Sequence, residues 1–158
     1  MASEANIPFV IHAGEAAGAE SVKWAVEFGA RRIGHGLRAL ECERTTALLR
    51  DRKIPLELCY TSNLQTKAAN SPETYPLRRF MEEGVRVTVN TDNMTVSGTT
   101  LKQEYRLLGI QQRLDRGILK GLALSAAEAA FLPEEEKEKL KAVIERKFYS
   151  WLGDKWEK

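Results

Sequence analysis

Between residues 7 and 91 four short apolar runs alternate with three stretches of helical spacing, and this alternation constrains the fold more than any other feature of the chain. Residues 7–11 are apolar and partly β-branched, bounded by polar residues and glycine, and read as a buried strand. Over residues 16–28, Val22, Ala25 and Val26 fall at helical spacing, and Gly29 stands where a helix ends in a left-handed glycine. The unit then recurs: strand 32–34, helix 41–51, strand 54–59, helix 76–83, strand 85–91. A strand reached from its neighbour through a helix pairs parallel with it, so the expected fold is α/β with four parallel strands. Beyond residue 100 the pattern is helical. Helices are expected over 101–114 and 119–132, and a third starts at Pro133 with Glu134, Glu135 and Glu136 on its positive end. Its apolar face runs through Leu140, Val143, Ile144, Phe148 and Trp151.

No linker, repeat or compositional break interrupts residues 1–158, so one domain is expected. With 43% hydrophobic and 29% charged residues the chain is an ordinary globular one. Its net charge of +2 sets up no field that would draw it to nucleic acid or an anionic membrane. The longest apolar stretch, 7–11, falls far short of the roughly 20 residues of a membrane span. Residues 1–6 lack the pattern of a signal peptide. Cys42 and Cys59 are too far apart for a CxxC pair and read as reduced thiols, which favours a cytoplasmic setting. Trp24, Trp151 and Trp156 read as core or helix-packing residues.

The chemistry gathers where strands end. The only two histidines are His12, in Val-Ile-His12-Ala-Gly-Glu15, and His35, in Ile-Gly-His35-Gly. The third strand runs out into Cys59-Tyr-Thr-Ser-Asn63 and the fourth into Val89-Asn-Thr-Asp-Asn93. In a parallel α/β sheet the C-terminal strand ends form the rim on which sites are built. The markers His12, His35, Cys59 and Asp92 follow one another at 23, 24 and 33 residues, near the roughly 30 residues of one β-α-β step. One such histidine alone reads as structural, but two imidazoles and two carboxylates on one rim suit binding of a divalent metal and proton transfer. Metal-assisted hydrolysis is the chemistry this set favours. No Walker-type phosphate loop is present, and the cysteines cannot form a Pro-Cys-x-x-Cys clamp.

Taken in order, His12-Ala-Gly-Glu15, Ile33-Gly-His-Gly36, Leu56-Glu-Leu-Cys-Tyr-Thr-Ser-Asn63, Val89-Asn-Thr-Asp-Asn93 and Gly98-Thr-Thr-Leu-Lys-Gln-Glu-Tyr105 resemble the second half of the adenosine deaminase family. The resemblance covers residues 7 to about 132. It implies the C-terminal half of a (β/α)8 TIM-like barrel, strands five to eight, with one zinc ion at the rim. It further implies His12 and Asp92 as zinc ligands, Glu15 as proton donor to purine N1, and His35 as the group orienting the metal-bound water. Gly14 and Asn93 would meet the substrate, adenosine or a related 6-aminopurine nucleoside, which is hydrolysed to inosine and ammonia.

Three departures qualify that picture. Asn93 stands where the family has a second aspartate, and its amide can still donate to purine N7. Tyr75-Pro76 replaces a His-Pro pair, a change expected to carry little functional weight. The family's strand-one His-x-His pair, which supplies two more zinc ligands, has no counterpart here. A catalytic zinc needs three protein ligands, so zinc is expected to be weakly held or absent on this chain alone. Activity then calls for a complementing N-terminal half, with a homodimer as the other way to cover open sheet edges. The alternative is a catalytically inactive half-barrel fragment or self-association module.

Overall fold

The structure, a computed structural model, describes residues 7–153. In chain order it runs β1 (Val10–Ala13), α1 (Ala19–Glu27), β2 (Arg32–His35), a 3-10 turn (Leu37–Glu41), α2 (Glu43–Asp51), β3 (Leu56–Leu58), α3 (Tyr60–Gln65), α4 (Leu77–Glu82), β4 (Val87–Val89), α5 (Met94–Ser97), α6 (Leu101–Gln111), α7 (Arg116–Ala129) and α8 (Glu134–Leu152). The four strands form one parallel sheet in the order β1-β2-β3-β4.

Register sorts the side chains into two faces. Ile11, Ile33, Leu56 and Val87 lie in one row across the sheet, and His12, Gly34, Glu57 and Thr88 in the next. Because side chains alternate along a strand, the two rows point to opposite faces. The apolar row faces the core, where Val22, Ile33, Leu49, Leu56, Leu77 and Phe80 are fully buried. The second row is polar apart from its glycine.

Several sequence expectations shift. The first strand lies at Val10–Ala13 rather than 7–11. Pro8 has no N–H to give a ladder, and pairing begins where Arg31 N–H donates to the Phe9 carbonyl at 3.0 Å. His12 therefore sits inside β1 rather than beyond its end. The expected helix 41–51 begins two residues later, at Glu43, because the chain is extended at Cys42, and a 3-10 turn that the sequence did not announce precedes it after Gly36, where φ is +74°. Residues 59–63, read as the polar run-out of the third strand, enter the helix α3 from Tyr60 onward. The helix expected over 119–132 starts three residues earlier, because Asp115 accepts the Ile118 N–H at 2.8 Å and caps α7.

The C-terminal helices close the molecule. Tyr105 on α6 makes edge contacts with Phe148 and Trp151 on α8, and Lys120 and Lys141 make cross-helix ion pairs with Glu145 and Glu128. Trp151 is thus a helix-packing residue as expected. Trp24 is not a core residue: it is 48% exposed beside Phe28, which is 69% exposed, on the outer side of α1. Trp156 lies outside the described residues. Among the described residues no helix is long and apolar enough to cross a membrane, and Cys42 and Cys59 are both free thiols.

Candidate active site at the strand ends

Backbone conformation brings the rim together first. His35 and Asp92 end β2 and follow β4 with φ of +64° and +57°, a region that costs non-glycine residues on the order of 1–3 kcal/mol and tends to persist at functional positions. Glycines make room around them. A Cβ at Gly14, where φ is +67°, would stand 2.5 Å from Val22 Cγ2 and 3.1 Å from Gly36 Cα. A Cβ at Gly34 would run into the His12 ring. Gly34 thereby lets His12 lie across β2 against His35, their centroids 4.9 Å apart at 89°.

The His35 ring is the hub. It is 1% exposed, with Nε2 3.5 Å from Glu15 Oε2 and 3.9 Å from Asp92 Oδ2. Its Nδ1 lies 2.9 Å from Asn63 Nδ2. Asn63, fully buried, has its Oδ1 committed as acceptor of the Cys59 N–H and the Tyr75 hydroxyl, both at 3.2 Å. The amide must therefore turn Nδ2 toward His35 and donate to Nδ1, which leaves the neutral ring's proton on Nε2, facing the two carboxylates. Burial pulls the His35 pKa below its usual value, against the lifting effect of Glu15.

The carboxylates are held from the same side. Ser62 Oγ donates to Asp92 Oδ2 at 2.7 Å, and Thr66 Oγ1 donates to Glu15 Oε1 at 3.1 Å. Cys59, where β3 meets α3, is kept protonated: burial, then the negative charges of Asp92, Glu104 and Glu57, push its thiol up to about 12. His12 is exposed and has no hydrogen-bond partner among the described residues.

His12, Glu15, His35 and Asp92 thus converge on one rim. The two residues assigned to substrate are differently disposed. Gly14 has both backbone groups engaged internally, its N–H to Ser21 Oγ and its carbonyl to Arg38 N–H, each at 2.9 Å. Asn93 is exposed and caps α5, its Oδ1 accepting the Thr95 and Val96 N–H groups at 3.1 and 3.0 Å. That fixes the amide with Nδ2 as its remaining hydrogen-bonding end. Among the described residues no three His, Cys, Asp or Glu side chains are grouped to hold a metal ion. Sequence reasoning passed over Ser62, Asn63, Thr66 and Tyr75. Ser62 and Asn63 were seen only as polar residues after the third strand, Thr66 was not singled out and Tyr75 was discounted as a substitution, and α3 with its C-cap brings the first three to the rim.

Comparison with known proteins agrees with this architecture. The adenosine deaminase family model matches residues 1–147. Over 148 residues the chain is 52% identical to an adenosine deaminase of Haemophilus ducreyi, covering 94% of this chain and 43% of that protein. Among solved structures, an adenine deaminase from Arthrobacter aurescens superposes with a TM-score of 0.88 at 25% identity, covering 92% of this chain and 45% of that one. A cog1816 amidohydrolase from Burkhoderia ambifaria with bound Zn superposes at 0.84 with 20% identity, covering 94% and 42%, a likeness of fold. The chain spans less than half the length of the proteins it matches, and its four parallel strands with flanking helices form a partial barrel. With the match extending over nearly every residue, the chain belongs to the adenosine deaminase family.

Proposed function

We propose that residues 1–158 are one partial-barrel domain, strands five to eight of a zinc-dependent deaminase that hydrolyses adenosine to inosine and ammonia. The observation that carries this reading is the convergence on buried His35, whose Nε2 lies within 4 Å of both Glu15 and Asp92 while His12 packs edge-on beside it.

The donors present do not complete a zinc site. His12 and Asp92 are two donors where a catalytic zinc needs three from protein, and the carboxylate already accepts from Ser62. No step is therefore routed through a metal on this chain. What its own residues do is narrower. Glu15, steadied by Thr66, holds a proton for the purine N1, which makes C6 electrophilic toward water. His35, fixed as the Nε2–H tautomer, orients the attacking water between Glu15 and Asp92. As the water oxygen bonds to C6 one of its protons restores Glu15, the remaining hydroxyl proton passes to the amine, the C6–N bond breaks to release ammonia, and the ring regains its conjugation as inosine with the proton kept on N1. Asn93 presents Nδ2 to N7, and Gly14, lacking the Cβ that would collide with Val22 and Gly36, lets the chain turn tightly between His12 and Glu15 beside the substrate. Two free thiols support a cytoplasmic setting.

Purified chain should show little inosine formation and substoichiometric zinc, and both should rise when a separately produced N-terminal half carrying the missing histidines is added. Stoichiometric zinc with turnover from this chain alone overturns the incomplete donor set. A complemented, zinc-loaded complex with no turnover overturns the deaminase reading. A second reading, self-association, is favoured by the edge of β1, which no other described strand pairs, and by exposed Trp24 and Phe28. A stable, monodisperse monomer in sedimentation velocity contradicts it.

A further inference from the structure

One buried carboxylate has no place in the chemistry above. Glu104, on α6, is fully buried. Its Oε2 accepts the Thr61 N–H at 3.0 Å, and its Oε1 accepts the Thr61 hydroxyl and, at 2.6 Å, the Thr99 hydroxyl. Among the described residues it pairs with no cation. Three donors from two segments thus replace the counter-ion that a buried carboxylate normally requires.

The recipient segment is α3, and three of the four rim groups are held by a residue of that helix or its cap. Ser62 holds Asp92, Asn63 holds His35, and Thr66 holds Glu15. Thr61, the residue Glu104 grips twice, is adjacent to Ser62. Gln65 Nε2 adds a bond to the Ser97 carbonyl at 3.1 Å, but on the Thr61 side Glu104 is the anchor.

We propose that Glu104 is a positioning residue: by fixing Thr61 against α6 and Thr99 it sets the position of α3, and through α3 the orientation of His35, Asp92 and Glu15. It touches none of the reacting groups. The proposal rests on reading the rim as the reacting site, but its test needs no turnover, so the two fail separately.

Because the chain has only two histidines, ring-nitrogen NMR of the histidine-labelled full chain, at one fixed pH, reports on His12 and His35 alone. Glu104→Gln places an amide donor against three donors and should shift the His35 ring resonances. Thr99→Val removes one donor at nearly constant volume, keeps the test open if the first variant does not fold, and should shift them less. Thr99→Ser, which keeps the hydroxyl, should restore the wild-type spectrum. Asp115→Ala, which uncaps the distant α7, controls for lowered stability and should leave His35 unmoved. Unchanged His35 resonances in both Glu104→Gln and Thr99→Val overturn the proposal. So does a shift of equal size in Asp115→Ala.

Discussion

At the scale of single residues, Asn63 bears more of the site than either histidine. It satisfies the Cys59 N–H, the Tyr75 hydroxyl and His35 Nδ1 together, in a place without solvent. Asn63→Leu strands all three, and each unsatisfied buried group costs about 1–3 kcal/mol. A loss of at least ~2 kcal/mol is expected, read as a lower urea midpoint with unchanged slope. The cysteines offer an independent check. The thiolate is the attacking species, and a Cys59 thiol pushed up to about 12 leaves on the order of one molecule in ten thousand ionised at pH 8. Cys42, at the N-terminal end of α2, is shifted the other way, chiefly by the polar N–H and hydroxyl of Thr45 beside it. Iodoacetamide followed by mass spectrometry should label Cys42 first at every pH from 6 to 9, and Cys59 only on unfolding. His12, Glu15, His35 and Asp92 were visible in the sequence because polar residues at strand ends stand out against apolar runs. Their supports were not. Asn63 meets a histidine 28 positions away and Thr66 a glutamate 51 positions away, and the rotation of α3 decides which of its polar residues face the rim.

At the scale of elements, the alternation of strands and helices was legible because hydrophobic period and helix-ending glycines agree at each step. Boundaries failed where one residue overrides the pattern: Pro8 delays β1, Gly36 bends the chain into a 3-10 turn, and Asp115 brings α7 forward. The same residues make these assignments testable. Asp115→Ala should cost ~1 kcal/mol in chemical denaturation, the usual worth of such a cap. Gly34→Ala tests how β2 accommodates its neighbour. The added methyl collides with the His12 ring, and because that ring is exposed it should swing away instead of straining the sheet. A stability cost of ~1 kcal/mol, at the low end for overpacking, is expected together with a displaced His12 ring resonance. Full stability with an unmoved ring contradicts the packing described.

At the scale of the whole molecule, β1 pairs on one side only among the described residues, leaving backbone donors and acceptors that another strand can satisfy. Any partner that binds only the folded chain stabilises it by mass action. A complementing half at 100 times its Kd should add about 2.7 kcal/mol, seen as a rise in Tm that grows with partner concentration; a Tm indifferent to the partner excludes pairing at this seam. The strand order, which repeats the order of the chain without a skip, has a further consequence. Each strand after β1 docks beside the one just completed, so β2, β3 and β4 each find a ladder partner already made. The sheet is a strip laid down plank by plank, and separating it at any seam severs one row of ladder bonds and one connecting segment, leaving every other pairing intact.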